Sequence, residues 1–126
     1  MTFKATYLGS NGWIIEFKKC RIIIDPWLLG DLVFPPGGWF FKGTLKDEIP
    51  TPKKIDLILL TQALPDHCHI PSLKKFPKNT CIVCSKSAFK ILDELNFESI
   101  NILEPGQNHK FNDINIEATT GAAVPH

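Results

Sequence analysis

The chain has 126 residues, of which 44% are hydrophobic and 21% are charged, a composition typical of a single globular domain. Its 14 basic and 13 acidic residues leave a formal net charge of +1, which gives no electrostatic reason to expect binding to nucleic acid or to an anionic membrane surface. The sequence contains no apolar run of about 18 residues, so a transmembrane helix is excluded on length.

The first 25 residues predict a meander of antiparallel strands. Residues 3–8 and 13–18 alternate between apolar and polar side chains, and the turn-prone segment 9–12 lies between them. Residues 21–25 form the next predicted strand, after a turn around residues 18–20. Residues 28–54 are rich in proline and glycine and surround three consecutive aromatic residues, so we expect a long loop there.

Strands and helices alternate in the rest of the chain. An apolar run at 55–61 indicates a buried strand. Ser85 is a good N-cap for a helix that runs to about Leu95, and Asn96 can end it. The other predicted elements are a short helix at 71–76, strands at 80–84 and 100–103, and a hairpin of 110–111 with 114–118. The order of elements predicts an α+β fold with a mixed or antiparallel sheet and helices on one face.

The four cysteines, at positions 20, 68, 81 and 84, lack the spacing of a disulfide framework, which indicates a reducing compartment. Cys81 and Cys84 are three residues apart in a predicted strand and so point to opposite faces, which favours free thiols over a shared metal or a disulfide. The N-terminus lacks the apolar core and cleavage site of a secretory signal. The cytoplasm is therefore the expected location.

Metal-capable side chains are concentrated just after the buried strand at 55–61. Asp66, His67 and His69 offer oxygen and nitrogen donors within four residues. They follow the carboxyl end of a strand, where ligand sites in α/β sheets usually lie. Without a metal, Asp66 would accept hydrogen bonds from loop N–H groups and His67 would pack over the strand end.

This loop resembles the signature of the metallo-β-lactamase superfamily, His-x-His-x-Asp-His after an apolar strand and a Thr. The four signature positions fall on Gln62, Leu64, Asp66 and His67, of which the last two match. The segments 7–17 and 21–27, the second ending in Asp-Pro-Trp, are similar to the opening hairpin of the lactonase-like branch. The resemblance runs from about residue 3 to residue 121.

The resemblance implies one half of an αββα sandwich. Domains of the superfamily are longer and are built from two similar halves packed sheet against sheet. We therefore expect residues 1–126 to form a single metallo-β-lactamase-like domain, the N-terminal half of a longer one. Such a half leaves one sheet face uncovered, and association into a homo-oligomer could cover it.

The resemblance also implies a metal site with an altered ligand set. In the superfamily the Asp and the last His of the signature hold the second metal, and the Asp also orients the attacking water. Gln62 and Leu64 stand where histidines hold the first metal; leucine cannot ligate, and a glutamine carbonyl is a poor partner for zinc. His126 is the candidate for a further ligand. The cofactor is then zinc (Zn²⁺), iron or manganese, or none.

Five residues have candidate supporting roles around that site. Asp25, Gln62 and His69 could contact the metal ligands from outside the ligand set, where the carboxylate of Asp25 would orient a ligand histidine. Alternatively, Asp25 could simply form an Asp-Pro turn. Trp39 and Phe40 could contact a substrate, or could cover the sheet or form an interface.

Two functions follow. The first is a metal-dependent hydrolase of a small molecule, an ester, a lactone or a phosphodiester, with Asp66 orienting water and His67 holding the metal. The second is a non-catalytic relative that keeps the fold as a binding or assembly module. The missing ligands favour the second function, and the retained Asp66–His67 pair favours the first.

Overall fold

The computed structural model describes residues 2–35, 37–39 and 42–121. Its elements in chain order are β1 (Lys4–Gly9), β2 (Gly12–Phe17), β3 (Cys20–Ile24), β4 (Asp31–Val33), β5 (Lys42–Thr44), β6 (Leu57–Leu60), α1 (Ile70–Leu73), β7 (Cys81–Cys84), α2 (Lys86–Leu92), β8 (Ile100–Ile102), β9 (Asn108–Phe111) and β10 (Ile114–Glu117). A single 3₁₀ turn, Asp93–Leu95, continues α2. In this part of the chain, no helix is long and apolar enough to cross a membrane.

The main sheet has six strands in the order β1-β2-β3-β6-β7-β8. The first three strands are antiparallel neighbours, whereas β3, β6, β7 and β8 run parallel to one another. The α+β fold with a mixed sheet is therefore confirmed. Parallel pairing matters for function because it brings the carboxyl ends of β3, β6 and β7 to the same edge of the sheet.

Tight turns connect the antiparallel strands. Lys18 and Lys19 both have positive φ, 51° and 61°, as a two-residue hairpin turn between right-twisted strands requires. Ser10 has φ of 50° in the preceding turn, which leaves Asn11 beside the carboxyl edge of the sheet.

Both helices pack on one face of the sheet, as predicted. Ile23, Ile58 and Ile82 project from three adjacent strands into a core with Leu73 of α1 and Leu92 of α2, and all five side chains are fully buried. The amphipathic spacing of α2 places Ala88 and Leu92 on this side, whereas Ile91 is exposed.

Local signals set the ends of the two helices. The side chain of Ser85 accepts a hydrogen bond from the backbone N–H of Ala88 and so caps α2. Asn96 adopts the left-handed conformation that ends the 3₁₀ turn after α2. Pro71 lies in the first turn of α1. These three positions are those that the sequence predicts.

The opposite face of the sheet is covered only in part. The hairpin β9–β10 lays Phe111, Ile114 and Ile116 against a second cluster that includes Ile22 and Leu57. Over β1 and β2 no comparable layer is present among the described residues. Phe3, Tyr7 and Trp13 are 60%, 56% and 40% exposed there.

The prediction of an unbroken loop at 28–54 is wrong in part. Strands β4 and β5 pair antiparallel within it as a separate two-stranded sheet. Leu28 and Leu32 turn inward and are buried, and the N–H of Ile49 donates to the carbonyl of Leu28. The buried leucines hold the N-terminal part of the segment, and the hydrogen bond of Ile49 holds its C-terminal part, so that β4 and β5 between them can pair.

Candidate metal site at the carboxyl ends of the central strands

Three segments meet at the carboxyl edge of the sheet. Asp25 follows β3, Thr61 follows β6, and the turn between β1 and β2 supplies Asn11. The backbone N–H of Asp25 donates to the carbonyl of Leu59 at 3.0 Å, which continues the parallel ladder to the edge. The loop after Thr61 then turns back and presents Asp66 and His67 to the same place.

Asp25 is 2% exposed, and its carboxylate is held on both oxygens. Oδ1 accepts the backbone N–H of Thr61 at 2.9 Å, and Oδ2 accepts the Thr61 hydroxyl at 2.6 Å. Oδ2 also lies 2.7 Å from Nδ1 of His67. Asp25 therefore contacts the loop histidine directly, in addition to forming the Asp-Pro corner.

This contact defines the chemical state of the His67 ring. A carboxylate only accepts hydrogen bonds, so Nδ1 of His67 carries the proton that it donates to Asp25. In the neutral ring Nε2 then holds the lone pair, as in metal-binding histidines oriented by a carboxylate. Nε2 lies 3.7 Å from Oδ2 of Asp66 and 3.4 Å from the side-chain nitrogen of Asn11.

Asp66 has one satisfied and one unsatisfied carboxylate oxygen. Oδ2 accepts a hydrogen bond of 2.9 Å from Asn11, whose amide also approaches the Asp66 carbonyl at 3.3 Å. Oδ1 is buried and has no hydrogen-bond partner among the residues that the structure describes. The carboxylate is thus held by a side chain from the first hairpin, with one oxygen still unpaired.

These donors fit a metal ion as a partial ligand set. An imidazole nitrogen and a carboxylate oxygen suit zinc, iron and manganese. Catalytic zinc sites use about three protein ligands. Within residues 2–35, 37–39 and 42–121, no group of three or more His, Cys, Asp or Glu side chains could hold a metal. The described residues therefore supply two donors.

His69 lies apart from this pair. Its Nδ1 is 2.7 Å from the hydroxyl of Ser72, and its Nε2 is 3.0 Å from the carbonyl of Asp31. A carbonyl only accepts, so Nε2–H donates to Asp31 and Nδ1 accepts the Ser72 hydroxyl proton. Burial lowers the pKa of His69, although the Asp31 carbonyl acts in the opposite direction. The ring joins α1 to β4 as a neutral side chain.

The remaining candidates are dispersed. Gln62 is exposed, on the loop before the pair, and Trp39 is 83% exposed near the β4–β5 hairpin. Phe40 and His126 lie outside the described residues.

The cysteines offer no thiolate near the site. All four are free. Burial raises the pKa of Cys68 to about 12 and that of Cys84 to about 11, so both remain protonated at neutral pH.

Sequence reasoning missed Asn11 and Thr61 as functional positions. Thr61 is visible in the sequence only as the residue after the strand, and its contact with Asp25 depends on the parallel pairing of β3 with β6. Asn11 is 55 residues from Asp66 in the chain and carries no motif of its own. A polar residue in a turn that faces a strand edge is the single hint that the sequence offers.

The sequence of this chain matches a known protein family. A family model described as a beta-lactamase superfamily domain matches residues 4–126. The search of curated proteins found no significant match.

Solved structures with this fold are longer than the chain. A possible metal-dependent hydrolase from Veillonella parvula is 20% identical with a TM-score of 0.68, over 91% of this chain and 46% of its own. A metallo hydrolase from Ignicoccus hospitalis is 23% identical with a TM-score of 0.58, over 90% and 44%. CmlA, a diiron β-hydroxylase from Streptomyces venezuelae, is 17% identical with a TM-score of 0.68, over 94% and 24%. The chain spans less than half the length of each.

Proposed function

This chain belongs to the β-lactamase superfamily, and on that premise we propose that it is a cytoplasmic metal-dependent hydrolase that cleaves an ester, a lactone or a phosphodiester in a small molecule. The observation that carries the proposal is Oδ1 of Asp66, a buried carboxylate oxygen without a hydrogen-bond partner among the described residues. Such an oxygen costs free energy unless a cation or a donor occupies the space beside it. The lone pair of His67 Nε2 faces the same carboxylate.

Each residue of the cluster has a distinct role in this proposal. Asp66 and His67 are two of the ligands, and His126 is the candidate for a third. A divalent zinc, iron or manganese ion supplies Lewis acidity and lowers the pKa of water toward neutrality. Asp66 orients the attacking water. Asp25 keeps the proton of His67 on Nδ1, and Asn11 holds Asp66 in its rotamer.

Metal content tests the proposal directly. The purified chain is loaded with each metal, desalted and analysed by elemental mass spectrometry, alongside the variants Asp66→Asn and His67→Ala. His109→Ala is the matched control, because His109 lies on β9, in the separate β9–β10 sheet. We expect stoichiometric metal in the wild type and the control, and loss of metal in both cluster variants. Equal metal content in all four proteins would contradict the assignment of ligands.

A non-catalytic binding or assembly module is the second candidate function. The observation that favours it is that the described residues supply only two metal donors, whereas a catalytic zinc site uses about three protein ligands. Leu64, which cannot bind a metal, stands where the signature has a histidine. This function predicts a metal-free protein whose melting temperature is the same with and without chelator. A melting temperature that falls in chelator and recovers on adding metal would favour the hydrolase.

A further inference from the structure

A cleft of about 730 Å³ opens beside the signature loop. Residues 61–64 form one wall, the carboxyl end of β7 and the start of α2 form the floor, and residues 116–119 form the opposite wall. Its volume lies in the range of pockets that bind small molecules. The cleft reaches Leu64, two residues before Asp66 in the signature loop, whereas Asp66 and His67 themselves do not line it.

The lining of this cleft is largely apolar and nearly uncharged. Leu64, Val83, Leu103 and Ile116 supply apolar walls. Uncharged polar side chains complete the lining: Thr61, Gln62, Ser85, Ser87 and Thr119. None of the described residues that line the cleft is Lys, Arg or His, and Glu117 is the one acidic residue of that set. A phosphodiester or a carboxylate would lose hydration here without a cation from the wall, and would face Glu117.

Leu64 is the residue that connects the cleft to the loop. Its side chain is 43% exposed, although its backbone carbonyl accepts the N–H groups of His67 and Cys68 in a tight turn. Folding of the turn depends on the backbone and would tolerate a polar side chain at this position. The exposed leucine side chain at this position lines the cleft, where an apolar ligand could pack against it.

We propose that this cleft binds an uncharged, largely apolar small molecule against Leu64, which narrows the substrate to a neutral ester or lactone and excludes phosphodiesters. That the bound molecule is a substrate rests on the proposed function, whereas its binding in the cleft requires no metal. A neutral ligand would bury its apolar body between Leu64 and Ile116 and point its reacting end toward Asp66 and His67.

Two dyes that differ by one charge test the binding. N-phenylnaphthylamine is neutral, and anilinonaphthalenesulfonate has the same rings with a sulfonate. Fluorescence titration of the metal-free chain should give the tighter binding for the neutral dye. Leu64→Asn should weaken its binding about tenfold, the effect of removing one buried leucine contact. Ile91→Asn is the matched control, because Ile91 is similarly exposed on α2 and does not line the cleft.

A charge introduced into the wall gives a second readout. Leu64→Lys should reverse the preference and favour the sulfonate dye, since the cleft then contains a cation. Tighter binding of the sulfonate by the wild type would overturn the proposal. So would dye binding that Trp13→Ser abolishes and Leu64→Asn leaves unchanged, because the dye would then occupy the exposed sheet face.

Turnover separates this inference from the proposed function. A metal-loaded chain whose kcat/KM for nitrophenyl butyrate falls in Leu64→Asn and stays unchanged in Ile91→Asn supports both. A chain that prefers the phosphodiester bis-nitrophenyl phosphate keeps the proposed function and overturns the neutral cleft. A chain that binds no metal, yet shows the dye preference and its loss in Leu64→Asn, keeps the cleft and overturns the hydrolase.

Discussion

Asp25 has a left-handed backbone conformation, with φ of 44°, that is uncommon for residues other than glycine. Its carboxylate offsets the strain, because Thr61 and His67 hold it from two sides in a buried position. The same contacts fix the tautomer of His67. One strained residue thus connects the backbone ladder of β3 and β6 to the chemistry of the loop.

Asp25→Asn tests this positioning role. Asparagine tolerates the left-handed conformation but removes the negative charge behind the ring, so we expect His67 to lose its single tautomer. The nitrogen chemical shifts of the His67 ring report this in the metal-free protein, and metal affinity should fall about 10–100-fold where metal is bound. Asp31→Asn, at an exposed residue paired with Lys42, is the control. An unchanged tautomer would show that Asp25 does not orient the ring.

His69 should make the free energy of unfolding depend on pH. Its pKa is lowered from 6.5, mainly by burial, so below pH 6.5 the unfolded chain takes up a proton that the folded chain does not. The free energy of unfolding should therefore hold this contribution in full above pH 6.5 and lose it as the pH falls through the folded pKa. Urea denaturation at neutral and mildly acidic pH should show a shallower pH slope for His69→Gln than for the wild type. Equal slopes for His69→Gln and His109→Gln would contradict it.

At the scale of elements, short local signals and long-range pairing each decide part of the fold. Helix α2 begins after Ser85, and the 3₁₀ turn that continues it ends at Asn96, because capping depends on residues within one turn. The pairing of β3 with β6 has no local cause. It joins residues more than thirty positions apart through buried apolar side chains, such as Ile23 beside Ile58.

Ser85→Ala measures the local contribution. The variant leaves the N–H of Ala88 without its side-chain acceptor, so we expect a loss of about 1 kcal/mol in the free energy of unfolding. Lys90→Ala, on the exposed side of α2, should be close to neutral since alanine is a good helix former. Equal effects of the two substitutions in chemical denaturation would show that the cap contributes nothing.

At the scale of the whole molecule, the predictable part of the fold is the part with local causes. The opening hairpins, both helices and the final hairpin follow from periodicity and turn residues. The role of Asp25 behind a ligand histidine comes from the family resemblance, because the parallel pairing of β3 with β6 that brings Asp25 to the loop has no local cause. The contact of Asn11 with Asp66, the turning of His69 toward Ser72 and the pairing of β4 with β5 depend on tertiary packing that no short pattern encodes.

The exposed apolar sheet face predicts association of the isolated 126-residue chain. The rings of Tyr7 on β1 and Trp13 on β2 pack with 4.8 Å between centroids and a tilt of 48°, and the exposed ring of Phe3 packs on Phe17. Strand β1 is an edge strand of the sheet. Burial of a contiguous apolar surface of this kind is favourable, and a second copy of the chain presents the same apolar face to pack against it. Sedimentation velocity should show dimers or larger species that increase with concentration.

The double variant Tyr7→Lys with Trp13→Lys should shift the chain to monomer, because it places two cations in the centre of the patch. Val33→Lys is the control: Val33 is 46% exposed, similar to Trp13, but lies on the separate β4–β5 sheet. If the wild type sediments as a monomer at every concentration, the face does not drive association. If Val33→Lys dissociates the chain as strongly as the double variant, the contact between copies lies on the β4–β5 sheet instead.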